Sequence, residues 1–292
     1  MEYEFKQVDV FTDQPLEGNP LAVFVDGSGL DPATMLKIAR EMNLSETTFI
    51  LPASDAEADF DLKIFTPAAE LPFAGHPTIG TAHVLFETGK VNPSQEAITF
   101  KMGVGNIRVT RHGKSFFMEQ PEAKFEAPCP THEHLAEALS LDSSAFCPDW
   151  PVQVVSTGLP ALLVPLKGLD EIRGIKLKTL LLSDVLQGTN MLYAFTLETE
   201  SPQSTVHVRA FAPSLGIPED PATGSVAGAL GAYLAKYQVI EAKKLNHIQI
   251  EQGYAMGRPS LIQVKVAQKD GVFSGIEVGG KSRILIEGIL TL

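Results

Sequence analysis

The side chains best suited to chemistry in this sequence are two carboxyl groups, an imidazole and a hydroxyl. Glu46 stands between a predicted helix and a predicted strand, and Asp220 stands in a Pro-Glu-Asp-Pro segment. His76 lies in a Gly-His-Pro loop, where it could donate to a substrate or titrate near neutrality. Ser225 has no Gly-x-Ser-x-Gly elbow around it, which disfavours a serine nucleophile. Together these groups suit acid/base catalysis on a bound small molecule.

Each of these residues also has a simpler interpretation. From sequence alone, a glutamate exposed to solvent is the favoured interpretation of Glu46. Pro-Glu-Asp-Pro is a common kind of turn sequence, and a single histidine such as His76 is more often structural than catalytic. The candidate roles therefore depend on where the fold places these side chains.

Three of the four residues lie in a motif that occurs twice. The copies cover residues 65–80 and 211–225, and their first residues, Phe65 and Phe211, are 146 positions apart in a chain of 292. A spacing of half the chain length indicates an ancient duplication. The copies differ where side chains could do chemistry: Ala74 matches Asp220, His76 matches Ala222, and Ile79 matches Ser225. Two similar halves with different polar groups can line one cleft asymmetrically.

Two apolar segments follow the motifs and must position them. Residues 78–87 and 225–235 have the composition of helices without a polar face, which are usually buried on all sides. Glycine in a helix costs about 1 kcal/mol relative to alanine, so Gly228 and Gly231 indicate that a neighbour packs very close. We therefore expect one central helix wrapped by strands in each half of the chain.

The other predicted elements repeat in the same order in both halves. A helix opens at Asp31-Pro32 and another is predicted over 176–186, while residues 18–20 are predicted to form a turn between strands. A proline-rich linker is predicted near residues 120–130. The expected domains are 1–120 and 130–292, with an arrangement left open in which the last strand returns to the first domain.

Both predicted central helices begin at a glycine-containing loop. Gly75 and Gly224 stand where the first backbone N–H groups of a helix have no partner and carry a positive partial charge. Two such helix starts facing a common cleft would hold a carboxylate. The alternative is ordinary N-capping by the threonine and serine residues of these loops. The presence of a pair favours the anion site.

Composition, charge and the lack of known motifs argue against several classes of partner. The sequence is 44% hydrophobic and 20% charged, as in a soluble globular protein, and its net charge of −12 disfavours nucleic acids and anionic membranes. The first residues are charged and alternating, and no apolar run is long enough to span a bilayer, so we expect a cytoplasmic protein. Metal motifs, dinucleotide-binding loops and a disulfide framework are not found, and we expect neither a metal nor a cofactor.

The sequence resembles the PhzF family, which is named for a phenazine-biosynthesis isomerase and has the diaminopimelate epimerase-like fold. The matching stretches are residues 8–12, 18–20, 43–47, 65–78, 211–225 and 256–260, so they extend over nearly the whole chain. The resemblance implies an α+β fold of two pseudo-symmetric domains, each a β-barrel-like sheet wrapped around a central helix. It also implies an active site between the domains and an isomerase that transfers a proton without a cofactor.

The resemblance assigns roles to individual residues. It implies that Glu46 is the catalytic acid/base and that the backbone at Gly75 and Gly224 binds a substrate carboxylate. The other implied substrate-binding residues are His76, Asp220, Ser225 and Asn19. The expected partner is a small carboxylate-bearing molecule, and a homodimer is expected by analogy and because symmetric dimers are common.

The sequence departs from related racemases and epimerases at one point. Those enzymes use a pair of cysteines at the two helix starts, whereas Cys129 and Cys147 lie elsewhere in this chain. A proton shift by a single carboxylate is therefore favoured over two-base stereoinversion. An amino-acid-type racemase or epimerase, and a non-catalytic binding protein of the same fold, are the alternatives.

Overall fold

The computed structural model describes residues 1–129, 133–186, 189–269 and 272–292. The chain divides into two compact units, one formed by Met1–Glu119 with Gly279–Leu292 and the other by Gln120–Val278. The C-terminal strand thus groups with the first unit. Pro130, where the second domain is predicted to begin, lies outside the described residues.

The units are built from short strands and six α-helices in the described ranges. The strands are β1 (Glu2–Val10), β2 (Asn19–Phe24), β3 (Glu46–Pro52), β4 (Phe60–Phe65), β5 (Glu70–Leu71), β6 (Ala97–Met102), β7 (Gly105–His112), β8 (Ser115–Gln120), β9 (Lys124–Pro128), β10 (Gln153–Ser156), β11 (Pro160–Pro165), β12 (Leu192–Thr196), β13 (Val206–Ala212), β14 (Ile217–Asp220), β15 (Ile248–Gln252), β16 (Ser260–Lys269), β17 (Val272–Gly280) and β18 (Ser282–Thr291). The helices are α1 (Pro32–Met42), α2 (Gly75–Glu87), α3 (Glu133–Leu139), α4 (Leu169–Gly174), α5 (Thr179–Val185) and α6 (Gly224–Lys236).

Strands of the first unit pair in a mixed order. β1 pairs antiparallel with β2 and with β18, β2 pairs parallel with β3, and β3 pairs antiparallel with β4. β4 then pairs parallel with β6, and β6 pairs antiparallel with β7. The parallel β2–β3 pair needs a crossover connection, which α1 supplies.

Local sequence signals explain the limits of α1. The Asp31 side chain accepts hydrogen bonds from the backbone N–H groups of Ala33 and Thr34, and Pro32 occupies the first helical turn. Asn43 ends the helix in the left-handed conformation with φ 50°. The chain can then turn directly into β3.

Helix α2 is the buried centre of the first unit, as the sequence predicts. Every residue from Gly75 to Phe86 is buried, and the helix contacts β1, β2, β3, β7 and β18. A Cβ atom on Gly80 would lie 2.7 Å from side-chain carbons of both Leu21 and Val10. The glycine therefore allows the strands to approach the helix closely.

The second unit repeats this strand order. β10 pairs antiparallel with β11, β11 parallel with β12, β12 antiparallel with β13, β13 parallel with β15, and β15 antiparallel with β16. Helices α4 and α5 occupy the β11–β12 connection, where the first unit has α1. The predicted α+β fold with two pseudo-symmetric halves, each with its own central helix, is confirmed.

Helix α6 is the counterpart of α2. It contacts β10, β11 and β16, and all its residues except Ser225 and Lys236 are buried. A Cβ atom on Gly228 would lie 2.1 Å from Gln120 Oε1, and one on Gly231 would lie 2.7 Å from Val264 Cγ1. The close packing predicted from these two glycines is confirmed.

Three predicted elements differ from the structure. Residues 18–20 are not all a turn, because Asn19 and Pro20 already pair with β1. The proline-rich segment 120–130 contains strand β9, which pairs with β10. The helix predicted over 176–186 begins only at Thr179, because the backbone N–H groups of Lys176 and Lys178 donate to α3 carbonyls.

None of the helices in the described ranges has the length and hydropathy needed to cross a bilayer.

Candidate active site

Glu46 is the first residue of β3, where the chain leaves the turn that ends α1. In the parallel pairing of β2 and β3 it lies opposite Leu21. Its exposed fraction is only 7%. The interpretation of Glu46 as a solvent-exposed glutamate is therefore wrong.

His76, the second residue of α2, directs its imidazole towards Glu46. Nε2 of His76 lies 3.2 Å from Oε2 of Glu46. Burial lowers the pKa of His76 to about 3, so the imidazole is neutral at physiological pH and the contact is not an ion pair. His76 Nε2 makes no well-aligned hydrogen bond to any described group. Catalytic hydrogen bonds are often loose in a free enzyme and become aligned when substrate binds.

The other nitrogen of the His76 ring contacts Asn19, the first residue of β2. Nδ2 of Asn19 lies 3.3 Å from Nδ1 of His76. Ser45 completes the line, because its hydroxyl donates to Oδ1 of Asn19 over 3.1 Å. The first unit thus brings together Asn19, Glu46, His76 and Gly75 of the predicted site residues. Ser45 lies in the stretch 43–47 that carries part of the family resemblance, but no pattern in the neighbouring sequence predicts its contact with Asn19.

The start of α2 differs from that of a capped helix. Gly75 is its first residue, and the N-cap residue Ala74 has no side-chain hydrogen bond to the helix within the described structure. Thr78 does not cap the helix, since its hydroxyl donates to the carbonyl of Ala74 over 2.7 Å. The capping alternative is therefore wrong for this loop, because no side chain of the described residues caps the helix start.

In the second unit, Asp220 ends β14 immediately before α6. Its Oδ2 accepts a hydrogen bond from the hydroxyl of Thr223 over 2.5 Å, and only 8% of the residue is exposed. The neighbouring Glu219 instead makes two hydrogen bonds to Arg209, each of 2.9 Å. The two adjacent carboxylates therefore have separate partners, and the segment is a strand end rather than a simple turn.

Gln252, at the end of β15, holds the loop between β14 and α6. Its Nε2 donates to the Asp220 carbonyl over 2.7 Å and to Thr223 Oγ1 over 3.0 Å. Its Oε1 accepts from the backbone N–H of Thr223 and from the Tyr193 hydroxyl, each over 3.1 Å. The sequence does not reveal this residue, because its partners lie 29 to 59 positions away.

Gly224 and Ser225 form the first turn of α6. Thr223, the N-cap, makes no side-chain cap hydrogen bond in the described part of the chain, because its hydroxyl is used by Asp220. Ser225 is half-buried and does not cap the helix either. Gln120 stabilises this turn, because its Nε2 donates to the Gly224 carbonyl over 2.9 Å.

The described residues contain no group of three or more histidine, cysteine and acidic side chains that could hold a metal ion. Cys129 and Cys147 are free, half-buried, and remote in sequence from either helix start. Burial raises the pKa of the Cys129 thiol. Those two thiols therefore do not occupy the helix starts at Gly75 and Gly224. The sequence also contains His132-Glu133-His134, a pattern too weak to predict a metal site, and His132 lies outside the described residues.

Comparison with known proteins identifies the family. The PhzC-PhzF family, described as phenazine biosynthesis-like protein, matches residues 8–288. An uncharacterized isomerase of Mesorhizobium japonicum is 34% identical over 97% of this chain and 96% of its own length. The trans-2,3-dihydro-3-hydroxyanthranilate isomerase of Pseudomonas fluorescens is 33% identical over 98% of each chain.

Solved structures agree with the sequence comparison. A PhzF-family phenazine biosynthesis protein of Bacillus anthracis superposes with a TM-score of 0.89, at 26% identity and 100% coverage of both chains. A hydroxyproline epimerase of Agrobacterium vitis shares the fold, with a TM-score of 0.65 at 13% identity over 100% of this chain and 93% of its own. The chain therefore belongs to the phenazine biosynthesis-like (PhzC-PhzF) family and is an isomerase of that family.

Proposed function

We propose that this isomerase shifts a proton on a small carboxylate-bearing substrate, without a cofactor, and that Glu46 is the acid/base group. The observation that carries the proposal is the buried Glu46 carboxyl group, 3.2 Å from His76 Nε2. A neutral imidazole offers this carboxyl group a hydrogen-bond donor without a full positive charge. The carboxyl group is therefore not held in a salt bridge with His76.

In the proposed reaction, the Glu46 carboxylate removes a proton from a carbon made acidic by a neighbouring carbonyl group or double bond. The electron pair of the broken C–H bond moves into the conjugated system. The carboxylic acid formed on Glu46 then returns the proton to another carbon, so substrate and product are isomers. Exclusion of water from the closed site keeps the proton from exchanging with solvent.

The remaining predicted residues are proposed to bind the substrate. The backbone N–H groups at Gly75 and Gly224 would hold its carboxylate, since uncapped helix starts favour anions. His76, Asp220, Ser225 and Asn19 would contact its other polar groups.

The relatives suggest which compounds to test first. Several are named trans-2,3-dihydro-3-hydroxyanthranilate isomerases, whose substrate carries a carboxylate on an unsaturated ring. We propose that this chain acts on a compound of that chemical class. A screen of unsaturated cyclic carboxylates by proton NMR would identify it.

The test of the proposed mechanism is Glu46→Gln, which keeps the shape of the side chain and removes its acid/base function. We expect turnover to be lost while the circular dichroism spectrum and melting temperature stay close to wild type. Glu41→Gln is the matched control, because Glu41 is exposed on α1. Normal turnover by Glu46→Gln would refute the mechanism.

An amino-acid-type racemase or epimerase is the second candidate, supported by the fold shared with hydroxyproline epimerase. Reaction in deuterium oxide separates the two. Epimerisation would produce deuterium at an inverted stereocentre, whereas the proposed isomerisation would move a double bond.

We also propose a homodimer, because symmetric dimers are the commonest soluble oligomers. Light scattering after size exclusion is the test. A particle mass of 31.5 kDa, that of the single chain, would contradict the dimer.

A further inference from the structure

A line of four polar side chains runs through the first unit and ends at the proposed base. The Ser45 hydroxyl lies 3.1 Å from Asn19 Oδ1, Asn19 Nδ2 lies 3.3 Å from His76 Nδ1, and His76 Nε2 lies 3.2 Å from Glu46 Oε2. Asn19 is fully buried, and His76 and Glu46 are nearly so. Water therefore competes little for the contacts among Asn19, His76 and Glu46, whereas Ser45 is half-buried.

With the Asn19 carboxamide in the orientation that the structure shows, the atoms in this line allow one assignment of donors and acceptors. A carboxamide nitrogen can only donate, so the His76 Nδ1 that faces it must accept. A neutral imidazole has one N–H group, which must then be on Nε2, the nitrogen 3.2 Å from Glu46 Oε2, although it is not well aligned with that oxygen in the free protein. The Ser45 hydroxyl donates to the Asn19 oxygen, which is the orientation that points the Asn19 nitrogen at His76.

We propose that Ser45 and Asn19 are positioning residues that hold His76 as its Nε2–H tautomer, so that His76 is only a donor towards Glu46 and Glu46 is the single base. The tautomer rests on the contacts of Ser45, Asn19 and His76, whereas its catalytic consequence rests on the proposed function.

The opposite orientation is disfavoured by the same contacts. If the Asn19 carboxamide were rotated by 180°, His76 would carry its proton on Nδ1 and direct a lone pair from Nε2 at the Glu46 oxygen 3.2 Å away. Two acceptors at that distance repel unless Glu46 is protonated. Burial also lowers the pKa of His76, which disfavours a second proton on the ring.

The test is nitrogen NMR of the full-length protein labelled with ¹⁵N-histidine. The signals of His76 are identified among the seven histidines by their absence in His76→Gln. We expect the Nε2–H pattern, unchanged between pH 5 and pH 8. A Nδ1–H pattern, an equal mixture of tautomers, or titration in this range would overturn the proposal.

Variants test the two positioning residues separately. In Asn19→Asp, a carboxylate facing Nδ1 should place a proton there, so the Nδ1 signal should change to that of a protonated nitrogen. Ser45→Ala should populate the second tautomer, whereas Ser45→Thr, which keeps a hydroxyl, should retain the wild-type pattern. An unprotonated Nδ1 in folded Asn19→Asp would contradict the role of Asn19, and a wild-type pattern in Ser45→Ala would contradict that of Ser45.

The two proposals can fail independently. Should Asn19→Asp not fold, the wild-type spectrum and the Ser45 pair still decide the tautomer. An active Glu46→Gln enzyme with an Nε2–H His76 would defeat the proposed function and leave the tautomer standing. An inactive Glu46→Gln enzyme with an Nδ1–H His76 would defeat only this inference.

Discussion

The loops at the starts of α2 and α6 occupy the same place in their units but hold their polar groups differently. In the first unit, His76 Nε2 approaches Glu46 without a well-aligned hydrogen bond. In the second, Asp220 is bonded to Thr223, and all four bonding positions of Gln252 are used. The absence of an aligned hydrogen bond between His76 and Glu46 suits groups that exchange protons. The complete hydrogen bonding of Gln252 suits a rigid binding loop.

The strands that precede these loops show the same asymmetry. Glu46 begins β3 and pairs with Leu21, and at the matching place Leu192 begins β12 and pairs with Leu162. Both residues are buried, but only one carries a carboxyl group. The two units thus share a strand arrangement, but only the first has the proposed base. This asymmetry favours one-base chemistry.

The largest expected effect is the loss of the proposed base. Glu46→Gln should lower kcat by about 10²–10⁴-fold, the usual contribution of a general acid/base. Asp220→Asn should lower kcat/KM to a smaller extent, because Asp220 is proposed to bind substrate rather than to transfer the proton. Steady-state kinetics measure both. A larger loss for Asp220→Asn would reverse the roles assigned to the two units.

Placing a carboxyl group at the matching site of the second unit should destabilise the fold. Leu192→Glu buries a charge without a designed partner, so we expect a loss of about 3 kcal/mol or more in the free energy of unfolding. Leu197→Glu is the control, because Leu197 is exposed and the same change there should cost less than about 0.5 kcal/mol. Urea denaturation measures both. Equal stabilities of the two variants would mean that the start of β12 tolerates a carboxyl group as well as an exposed site does.

Removing the central amide of the second network should have a somewhat smaller effect. Gln252→Leu leaves the Asp220 carbonyl, both polar groups of Thr223 and the Tyr193 hydroxyl without this partner, at an expected cost of about 2–3 kcal/mol. Gln249→Leu, on the same strand but half-buried, serves as the control. If thermal unfolding showed no difference between them, the second loop would not be the more rigid one.

A pH dependence, which is absent at neutral pH and grows only as the pH falls, belongs to the first unit. The pKa of folded His76 is about 3, below its ordinary value of 6.5, so its contribution to stability is complete above pH 6.5 and is lost as the pH falls towards 3. As the pH falls through this range, the free energy of unfolding of wild type should therefore decrease more steeply than that of His76→Gln. The difference in slope should reach about 1.4 kcal/mol per pH unit.

Urea titrations at pH 4 to 7 test this difference. Burial also lowers the pKa of His83, but that residue is present in both proteins and its effect cancels. Parallel pH profiles for wild type and variant would show that His76 is not held neutral by the fold.

Much of the frame could be predicted from the sequence. The repeat of Phe65 and Phe211, 146 positions apart, and the apolar segments after them predict two halves with buried helices. Gly228 and Gly231 predict close packing, which the structure confirms. These are local or periodic signals, since an apolar helix and a helical glycine need a covering neighbour whatever its identity.

The placement of the polar groups could not be predicted in the same way. Sequence alone favoured an exposed Glu46, whereas the residue is buried because β3 begins next to β2 and close to the start of α2. The contacts of Asn19 with His76 and Ser45 join residues 57 and 26 positions apart. No sequence pattern predicts the contact of Gln252 with Thr223, which is 29 positions away.

Local sequence patterns are enough to predict two similar halves, their central helices and the glycine loops that begin them, because hydrophobic periodicity and backbone conformation are properties of short segments. Tertiary packing, in contrast, brings Glu46 to His76 and lets Gln252 hydrogen-bond to Asp220 and Thr223. Those contacts depend on strand register and on where a helix packs, and neither is encoded within the few residues that surround each side chain.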